Sequence, residues 1–490
     1  MIMTLADLLP LLPLLIVSAT AVLVMLQIGI RRDHTVTAAI AVSGLLVATV
    51  AAAMMMPLTN QQVTPLLIID QYSLFFTVVC CTAAMFIAIL SYPYLSRLDD
   101  DKDEFYLLLV IATVGAIVMV SSNHFVSTIL GLEPLSMSLY GMVAYPLHSR
   151  HSALYPLEAA VKYLVLSAVS SSFMLFGMAL IYAQTGTLAF SSLIDLSSNA
   201  AVSLSDSYSI VGLLLLISGM AFKLSLAPFH MWTPDVYEGS PLPATAYLAT
   251  IGKTAMFVVL LRFVVMTDAL SYDAVVIVFS LIAVLSILVG NVLALLQIEL
   301  KRILAYSSIA HMGYLIIALI ASNFAASTIS IEAVTFYLLA YMIMSLGAFG
   351  VVSVVSSSEK EFDLVSDYQG LFWRDPWLAL IFTGMLLSLA GIPLTVGFIG
   401  KFYLFFAGVE SSLWLLLLLL VVGSGIGLFY YLRIVYRMLL PVPTPPQFPS
   451  AAGDRLGSYG VLTILFLLLL LLGVYPAPVM TLIETVSAFI

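Results

Sequence analysis

Seven residues with charged or proton-binding side chains lie within or beside long apolar runs. They are Glu133, Lys162, Lys223, His230, Lys253, His311 and Lys401. An ionisable group at the centre of a bilayer costs about 3 kcal/mol or more, so such residues are expected to serve ion or proton transfer. Lysine and histidine can exchange a proton near neutral pH, whereas arginine stays charged. We therefore expect Glu133, Lys223, Lys253, His311 and Lys401 to be proton stations linked by water.

Two of the lysines lie close to helix breakers. Pro228 follows Lys223 and should break the helix one turn after the lysine, because proline has no backbone N–H to donate. Gly391 and Pro393 precede Lys401. Backbone carbonyls freed inside a bilayer need protein or water partners, so a break beside a buried amine predicts a hydrated pocket near the membrane midplane. The alternative is a pair of ordinary proline-kinked helices.

Glu133 and the two histidines each allow two interpretations. Glu133 is expected to form an ion pair with a lysine or to bind a proton, the alternative being a protonated glutamate that is hydrogen-bonded for packing. His311 titrates readily, but it could equally be a hydrogen-bonded core histidine. His230 is expected to bridge Lys223 to the cytoplasmic loop, with the same alternative.

Lys162 and Arg262 have simpler local explanations. Lys162 stands four residues after Glu158, a favourable pair on a helix. It either stabilises the helix locally or modulates a Glu133–Lys223 couple. Arg262 lies near the outer end of its run, where its long side chain is expected to snorkel towards the membrane surface.

The composition indicates that transmembrane helices carry these residues. Of 490 residues, 62% are hydrophobic and 9% are charged, against roughly 25% charged in soluble proteins. This excludes a soluble enzyme, a nucleic-acid binder and a disordered scaffold, and it predicts an all-α polytopic membrane protein with about fourteen transmembrane helices. The predicted apolar runs are 8–30, 37–57, 72–92, 105–121, 124–146, 158–184, 209–228, 242–266, 273–295, 302–321, 332–355, 376–406, 411–439 and 459–486.

Basic residues predict the orientation of these spans. Twelve of them follow odd-numbered spans or sit at the C-terminal ends of those spans: Arg31, Arg32, Arg97, Lys102, Arg150, Lys301, Arg302, Lys360, Arg374, Arg433, Arg437 and Arg455. The loops after even-numbered spans contain none. Cytoplasmic loops carry the excess of lysine and arginine, so we expect odd-span loops in the cytoplasm and both termini outside.

One spacing indicates an internal repeat. Glu133 and His311 are 178 residues apart, and so are Lys223 and Lys401. This offset favours two five-helix units, which an odd number of spans makes inverted in the membrane. The predicted organisation is helices 1–3 in residues 1–104, a first repeat in 105–266, a second repeat in 273–439 and a last helix in 459–490.

Three stretches then resemble a known family. They are KLSLAPFHMWTPDVYEG at 223–239, KRILAYSSIAHMGY at 301–314 and LAGIPLTVGFIGKF at 389–402. They look like the antiporter-like membrane subunits of bacterial respiratory complex I, and the resemblance covers essentially the whole chain. Lys401 is similar to the N and L types, whereas the M type has glutamate there. The L type also has a long lateral helix, which this chain lacks after Ile490, so the N type fits best.

The resemblance implies a fourteen-helix fold with two inverted five-helix repeats and two broken helices in the bacterial inner membrane. It also implies a proton channel with functional residues at Glu133, Lys223, Lys253 and Lys401, driven by NADH oxidation and quinone reduction elsewhere. No cofactor is expected in this chain, while NADH, FMN, iron–sulfur clusters and quinone belong to partner subunits. The implied partners are the other membrane-arm and peripheral-arm subunits and membrane lipid, without nucleic acid.

The mechanism expected is a changing distance between Glu133 and Lys223. A nearby Glu133 stabilises protonated Lys223, and its withdrawal sends the proton through Lys253 towards His311 and Lys401. The main alternative is a subunit of a multisubunit cation/proton antiporter, which shares these lysines. A quinone-binding redox subunit and a purely structural membrane spacer are weaker alternatives, because no dedicated quinone pocket is evident and buried charges are costly.

Overall fold

A computed structural model describes residues 9–57, 61–62, 64–96, 102–145, 154–197, 207–323, 327–356, 362–441 and 456–490. Within these ranges the chain forms twenty α-helices and one small hairpin of two short strands, β1 (Gln61–Gln62) and β2 (Ile68–Ile69). The helices are α1 (Leu12–Ile30), α2 (His34–Met55), α3 (Gln71–Leu95), α4 (Asp103–Val120), α5 (Phe125–Ala144), α6 (Leu154–Thr185), α7 (Phe190–Ser197), α8 (Ser207–Lys223), α9 (Trp232–Gly239), α10 (Leu242–Tyr247), α11 (Lys253–Thr267), α12 (Asp273–Leu296), α13 (Leu300–Ala321), α14 (Ser327–Val355), α15 (Leu371–Arg374), α16 (Pro376–Ala390), α17 (Val396–Glu410), α18 (Trp414–Leu439), α19 (Leu456–Val474) and α20 (Ala477–Ser487).

The helices account for fourteen membrane crossings. Twelve helices in the described ranges are long and apolar enough to cross a bilayer, one of them formed by α10 and α11 with a π-helical turn between them. Two further crossings are interrupted, since α8 ends at Lys223 and is followed by the short α9, and α16 is followed by α17. The predicted all-α fold with about fourteen spans and two broken helices is confirmed.

The first break lies earlier than Pro228 predicts. α8 ends at Lys223 itself, because Ser225 adopts a left-handed conformation with φ of 63°. Leu226 N–H donates to the Ala221 carbonyl and Ser225 N–H donates to the Phe222 carbonyl. These two bonds form a Schellman motif, which closes the helix and satisfies its last carbonyls. Lys223 is therefore the final helical residue and not a residue one turn inside the helix.

Two other elements differ from the predicted runs. The run 459–486 contains two helices, α19 and α20, because Pro476 interrupts it and a helix restarts just after the proline. The loop between α6 and α8 contains the short helix α7. Arg97, Arg150, Lys360 and Arg455, which contribute to the predicted orientation, lie outside the described residues.

The helices that carry the candidate residues lie in the centre of the bundle. α13 is buried except at Arg302, and α14 and the α10–α11 crossing are buried almost throughout. α1, α2, α6, α12 and α18 lie at the perimeter and expose large apolar side chains. A polar group on α11 or α13 must therefore find its partners inside the protein.

Close helix approach positions α5, which carries Glu133. A Cβ atom placed on Gly115 of α4 would lie 2.5 Å from the Gly131 carbonyl oxygen and 2.8 Å from the Leu135 nitrogen of α5. Small residues allow such contact between membrane helices, and lipid-embedded helices depend on it for packing. The α4–α5 pair therefore has no room for a methyl group at this point.

We predict that Gly115→Ala will lower the amount of folded protein in the membrane. The added methyl group meets rigid backbone, and overpacking of this kind costs about 1–3 kcal/mol. The matched control is Gly425→Ala, since a Cβ at Gly425 has no atom within 4 Å. Thermal unfolding of the two purified variants measures the difference, and equal stability of both would contradict the packing argument.

Candidate functional site

Lys223 lies at the end of α8 with its ammonium group directed at two serines. Its Nζ donates to Ser136 Oγ of α5 at 3.0 Å and to Ser167 Oγ of α6 at 2.5 Å. The side chain is buried, and Ser167 also accepts a hydrogen bond from the Tyr140 hydroxyl at 2.6 Å. Neutral hydroxyl groups thus replace water around this lysine.

Glu133 does not form the expected ion pair with Lys223 in this structure. Among the described residues, no carboxylate lies within 4 Å of the Lys223 ammonium. Glu133 Oε1 instead accepts a hydrogen bond from Ser171 of α6 at 2.9 Å. Ser136, one helical turn after Glu133, occupies the position next to the lysine. An ion pair that forms during turnover stays a prediction.

Glu133 is only half-buried and faces the perimeter of the bundle. Leu130 and Met137, one turn before and after it on α5, are 58% and 63% exposed. A carboxylate at membrane depth is not left against lipid, because that exposure is costly. This face of α5 is therefore suited to contact with another protein.

The cavity beside the first break is apolar. It has a volume of about 240 Å³ and includes Phe222, Pro228, Phe229 and Trp232 in its lining, but not Lys223. The indole N–H of Trp232 donates to the Phe222 carbonyl at 2.9 Å, which satisfies a backbone group of the broken helix. A protein side chain therefore satisfies the Phe222 carbonyl at this break. A hydrated pocket at Lys223 stays a prediction.

Lys253 begins α11, directly after the π-helical turn Leu248–Gly252. Its ammonium group donates to Ser308 Oγ of α13 at 2.6 Å, and Ser308 is hydrogen-bonded to the Tyr341 hydroxyl of α14 at 2.5 Å. The ammonium also lies 5.6 Å from the centre of the Tyr237 ring. Single π-helical turns within α-helices frequently mark functional positions.

His311 lies one helical turn beyond Ser308 on α13. Its Nδ1 is 2.6 Å from the Tyr337 hydroxyl and its Nε2 is 3.3 Å from the Tyr431 hydroxyl. Both ring nitrogens therefore have partners, as expected for a hydrogen-bonded core histidine. The same two bonds would suit a proton station, because a hydroxyl can either donate or accept.

Lys401 lies at the second break and completes a row of candidate residues that begins with Lys223 and continues through Lys253 and His311. Its ammonium donates to the carbonyls of Leu389 and Ala390 at 2.9 and 2.8 Å, and to Ser424 Oγ at 2.9 Å. The two carbonyls are at the C-terminal end of α16, where the helix dipole favours a cation. The lysine thus supplies the hydrogen bonds that the interruption of the helix removes.

A set of polar side chains connects the region of His311 with that of Lys401. Tyr430 OH donates to Asn291 Oδ1 at 3.3 Å, and Asn291 Nδ2 donates to Tyr314 OH at 2.9 Å. The Tyr314 ring centre is 5.5 Å from the Lys401 ammonium, and the Tyr430 and Tyr431 rings are 4.5 Å apart. Polar groups therefore lie between the two stations within a buried core.

Lys162 and His230 lie outside this row. Lys162 forms the expected pair with Glu158 at 2.9 Å and a second pair with Asp235 of α9 at 2.9 Å. Arg302 of α13 also binds Asp235, at 3.1 Å. His230 is buried, and its Nδ1 has no hydrogen-bond partner in the described part of the chain. No described contact links His230 to Lys223.

Arg262 does not snorkel, contrary to the expectation from its position in the run. Its side chain is 1% exposed and forms an ion pair with Asp70 at 2.8 Å. The prediction was wrong because Asp70 supplies a carboxylate inside the bundle, which removes the need for water. Asp70 precedes an apolar run in the sequence, so nothing local to it indicates this partner.

Comparison with known proteins identifies the family of this fold. A family described as NADH:quinone oxidoreductase/Mrp antiporter, transmembrane, matches residues 122–427. The NADH-quinone oxidoreductase subunit N of Methylococcus capsulatus is 44% identical over 478 residues, covering 97% of this chain and 94% of that protein. The chain belongs to this family of antiporter-like membrane subunits. All seven predicted site residues lie within the matched range.

Solved structures of the family have the same fold. A chain of respiratory complex I from Thermus thermophilus has a TM-score of 0.80 and 31% identity, with 96% of this chain and 98% of that chain covered. A chain of the Mrp complex from Dietzia sp. has a TM-score of 0.87 at 20% identity, with 99% and 97% covered. At that identity the Mrp likeness concerns the fold alone.

The antiporter-like site also contains residues that no sequence pattern indicates. Ser308, Tyr341, Tyr337 and Tyr431 bind Lys253 or His311 through hydroxyl groups, directly or through one another. The chain contains 24 tyrosines, so a single tyrosine in the sequence gives no sign of a role other than packing. Ser308 alone gives a local signal, since it precedes His311 by one helical turn.

We predict that Ser308→Ala will reduce transport that depends on Lys253. The ammonium would lose its only described hydrogen-bond acceptor, and an unsatisfied buried polar group costs about 1–3 kcal/mol, equivalent to roughly 5- to 150-fold. Proton uptake into membrane vesicles measures the effect. The control is Ser91→Ala, which removes a buried hydroxyl bound only to the Ile87 carbonyl of its own helix. Equal uptake by both variants would exclude this role.

Proposed function

We propose that the chain is the N-type membrane-arm subunit of a proton-translocating NADH:quinone oxidoreductase. The observation that carries the proposal is a row of three buried lysines, Lys223, Lys253 and Lys401, whose ammonium groups bind hydroxyl and carbonyl oxygens. The N-type relative at 44% identity over nearly the whole chain supports the assignment. A lysine with only neutral partners can release a proton without leaving a buried anion behind.

The proposed path begins at Lys223 and ends at Lys401. A proton on Lys223 moves to Lys253, then through the Ser308 and Tyr341 hydroxyls to the region of His311. The His311, Tyr431, Tyr430, Asn291 and Tyr314 side chains extend towards Lys401. Water is proposed to bridge the steps for which no direct hydrogen bond is described.

Glu133 is proposed to control the first step. It lies on the same helix as Ser136, one turn away, so a small movement of α5 would exchange the serine for the carboxylate beside Lys223. A carboxylate close by stabilises the protonated lysine, and its withdrawal favours proton release. Because Glu133 faces the perimeter, a neighbouring membrane-arm subunit is proposed to set its position.

The remaining assignments are part of the same proposal. The odd-span loops lie in the cytoplasm and both termini outside a bacterial inner membrane, as the basic residues favour. The functional units are the repeats at 105–266 and 273–439, preceded by residues 1–104 and followed by 459–490. The chain itself holds no redox centre, and NADH, FMN, iron–sulfur clusters and quinone bind to partner subunits. His230 and Lys162 act at the cytoplasmic side.

A second candidate function is that of a subunit of a cation/proton antiporter. The TM-score of 0.87 to a chain of an Mrp complex favours it as far as the fold is concerned. The same lysines would then exchange protons against a cation instead of being driven by electron transfer. Dependence of proton movement on sodium in membranes without NADH oxidation would distinguish this function.

We predict that Lys223→Ala will abolish proton uptake and lower NADH-driven quinone reduction in inverted membrane vesicles, while the complex still assembles. Removal of the amine breaks the path at its first buried station. The matched control is Lys223→Arg, which keeps a charge but cannot release a proton and should also fail to pump. Unchanged uptake and quinone reduction in Lys223→Ala would contradict the proposal.

We predict that Lys401→Ala will reduce pumping more than it reduces the amount of assembled complex. The variant loses a proton station and the donor to two carbonyls of α16, but water can enter to satisfy those carbonyls. Native gels give the amount of complex, and dye quenching gives proton uptake per NADH oxidised. Normal pumping with a normal amount of complex would remove Lys401 from the path.

A further inference from the structure

Arg262 and Asp70 form a closed ion pair at the end of α11 opposite Lys253. Arg262 donates through Nη1 to Asp70 Oδ2 at 2.8 Å and through Nη2 to Asp70 Oδ1 at 3.0 Å. Each side chain is 1% exposed. Two parallel bonds of this kind fix the relative position of the two groups as well as their charges.

Asp70 is held by a second set of bonds at the start of α3. Its Oδ1 accepts the Ser73 N–H at 2.7 Å, and its own N–H donates to Ser73 Oγ at 3.0 Å, which is a capping box. The carboxylate therefore accepts hydrogen bonds from three donors, the Ser73 N–H and the two terminal nitrogens of Arg262. It cannot move away from Arg262 unless the first turn of α3 opens.

Tyr72 extends the contact to α14. Its ring centre lies 5.8 Å from the guanidinium carbon of Arg262, and its hydroxyl is 3.3 Å from Thr335 Oγ1. The ion pair with Tyr72 thus joins α3, α11 and α14. In the proposed division these helices belong to the N-terminal helices, the first repeat and the second repeat.

The stretch of α11 before Arg262 is buried and apolar. Residues 255–261 are AMFVVLL, and each is at most 1% exposed. Arg262 follows Lys253 by nine residues, which is a rise of about 14 Å along the helix. No side chain of residues 255–261 can carry a proton, and the Thr254 hydroxyl lies at the Lys253 end of this stretch.

We propose that the Asp70–Arg262 ion pair, together with this apolar stretch, seals the outer end of the first repeat against protons. The inference rests on the proposed function and extends it. Arginine side chains stay charged in proteins, so they do not act as proton carriers. A fixed positive charge also opposes the entry of protons into a narrow passage. A proton that reaches Lys253 can then leave only towards the second repeat.

The test removes both charges and preserves the contact. Asp70→Asn/Arg262→Gln keeps a capping side chain at position 70 and a hydrogen bond between the two positions. Assembled complex is reconstituted into liposomes of zwitterionic phospholipid, and the decay of an imposed pH difference is followed without NADH. We expect this passive proton leak to rise about threefold or more, because the fixed charge is lost.

The control is Arg32→Gln/Glu104→Gln, which removes an ion pair of 2.9 Å whose side chains are 51% and 34% exposed. It should leak like the native complex. If the Asp70→Asn/Arg262→Gln complex assembles and also leaks like the native complex, the seal is excluded.

Arg262→Lys provides the second variant if the double variant does not assemble. It keeps the positive charge beside Asp70, but a lysine can release its proton. We expect normal assembly and a leak that increases with pH, whereas a native leak at all pH values would overturn the proposal. The result is independent of Lys223→Ala. If the Asp70→Asn/Arg262→Gln complex leaks while Lys223→Ala pumps normally, the seal is supported and the proposed function is rejected.

Discussion

Interruption of a helix inside a bilayer leaves backbone carbonyls that need donors, and the two breaks of this protein meet that need in opposite ways. At the first break, Trp232 and the Schellman motif satisfy the carbonyls, so Lys223 is free to bind serines. At the second break, Lys401 itself is the donor to Leu389 and Ala390. Charge-assisted hydrogen bonds are stronger than neutral ones, so the protonation of Lys401 is coupled to the geometry of the α16–α17 break.

This difference assigns different behaviour to two lysines that the 178-residue offset makes equivalent. Lys223 can change its charge with little effect on the backbone, because its partners are the side-chain hydroxyls of Ser136 and Ser167, and Ser167 also accepts a hydrogen bond from Tyr140. Lys401 cannot do so without weakening the end of a helix. On the proposed function, the first repeat is thus suited to rapid proton exchange, and the second to a step in which proton release and movement of a half-helix occur together.

Much of this arrangement could be predicted from the sequence, and the rest needs distant contacts. Apolar runs predict the number of crossings, because only helices of sufficient length can span the bilayer. The cost of buried charge identifies Glu133, Lys223, Lys253 and Lys401, and three motifs indicate the family. The partner of Arg262 is 192 residues away, however, and no pattern local to either residue points to it. The conformation of Ser225 and the hydroxyl partners of Lys253 depend on tertiary packing in the same way.

Six cations in or beside the described crossings fall into two classes according to their partners. Arg262, Arg302 and Lys162 bind carboxylates, and each of these pairs lies near an end of the crossings. Lys223, Lys253 and Lys401 have no carboxylate within 4 Å among the described residues and bind hydroxyls or carbonyls. In the buried pair, removal of a proton from Arg262 would leave Asp70 as a buried anion, which costs several kcal/mol. Removal from a hydroxyl-bound lysine leaves a neutral amine that keeps its hydrogen bonds. For these six cations, the partner class therefore separates those that join helices through carboxylates from the lysines proposed to pass a proton. Arg433, which in the described part of the chain binds only the carbonyls of Leu295 and Gln297, belongs to neither class.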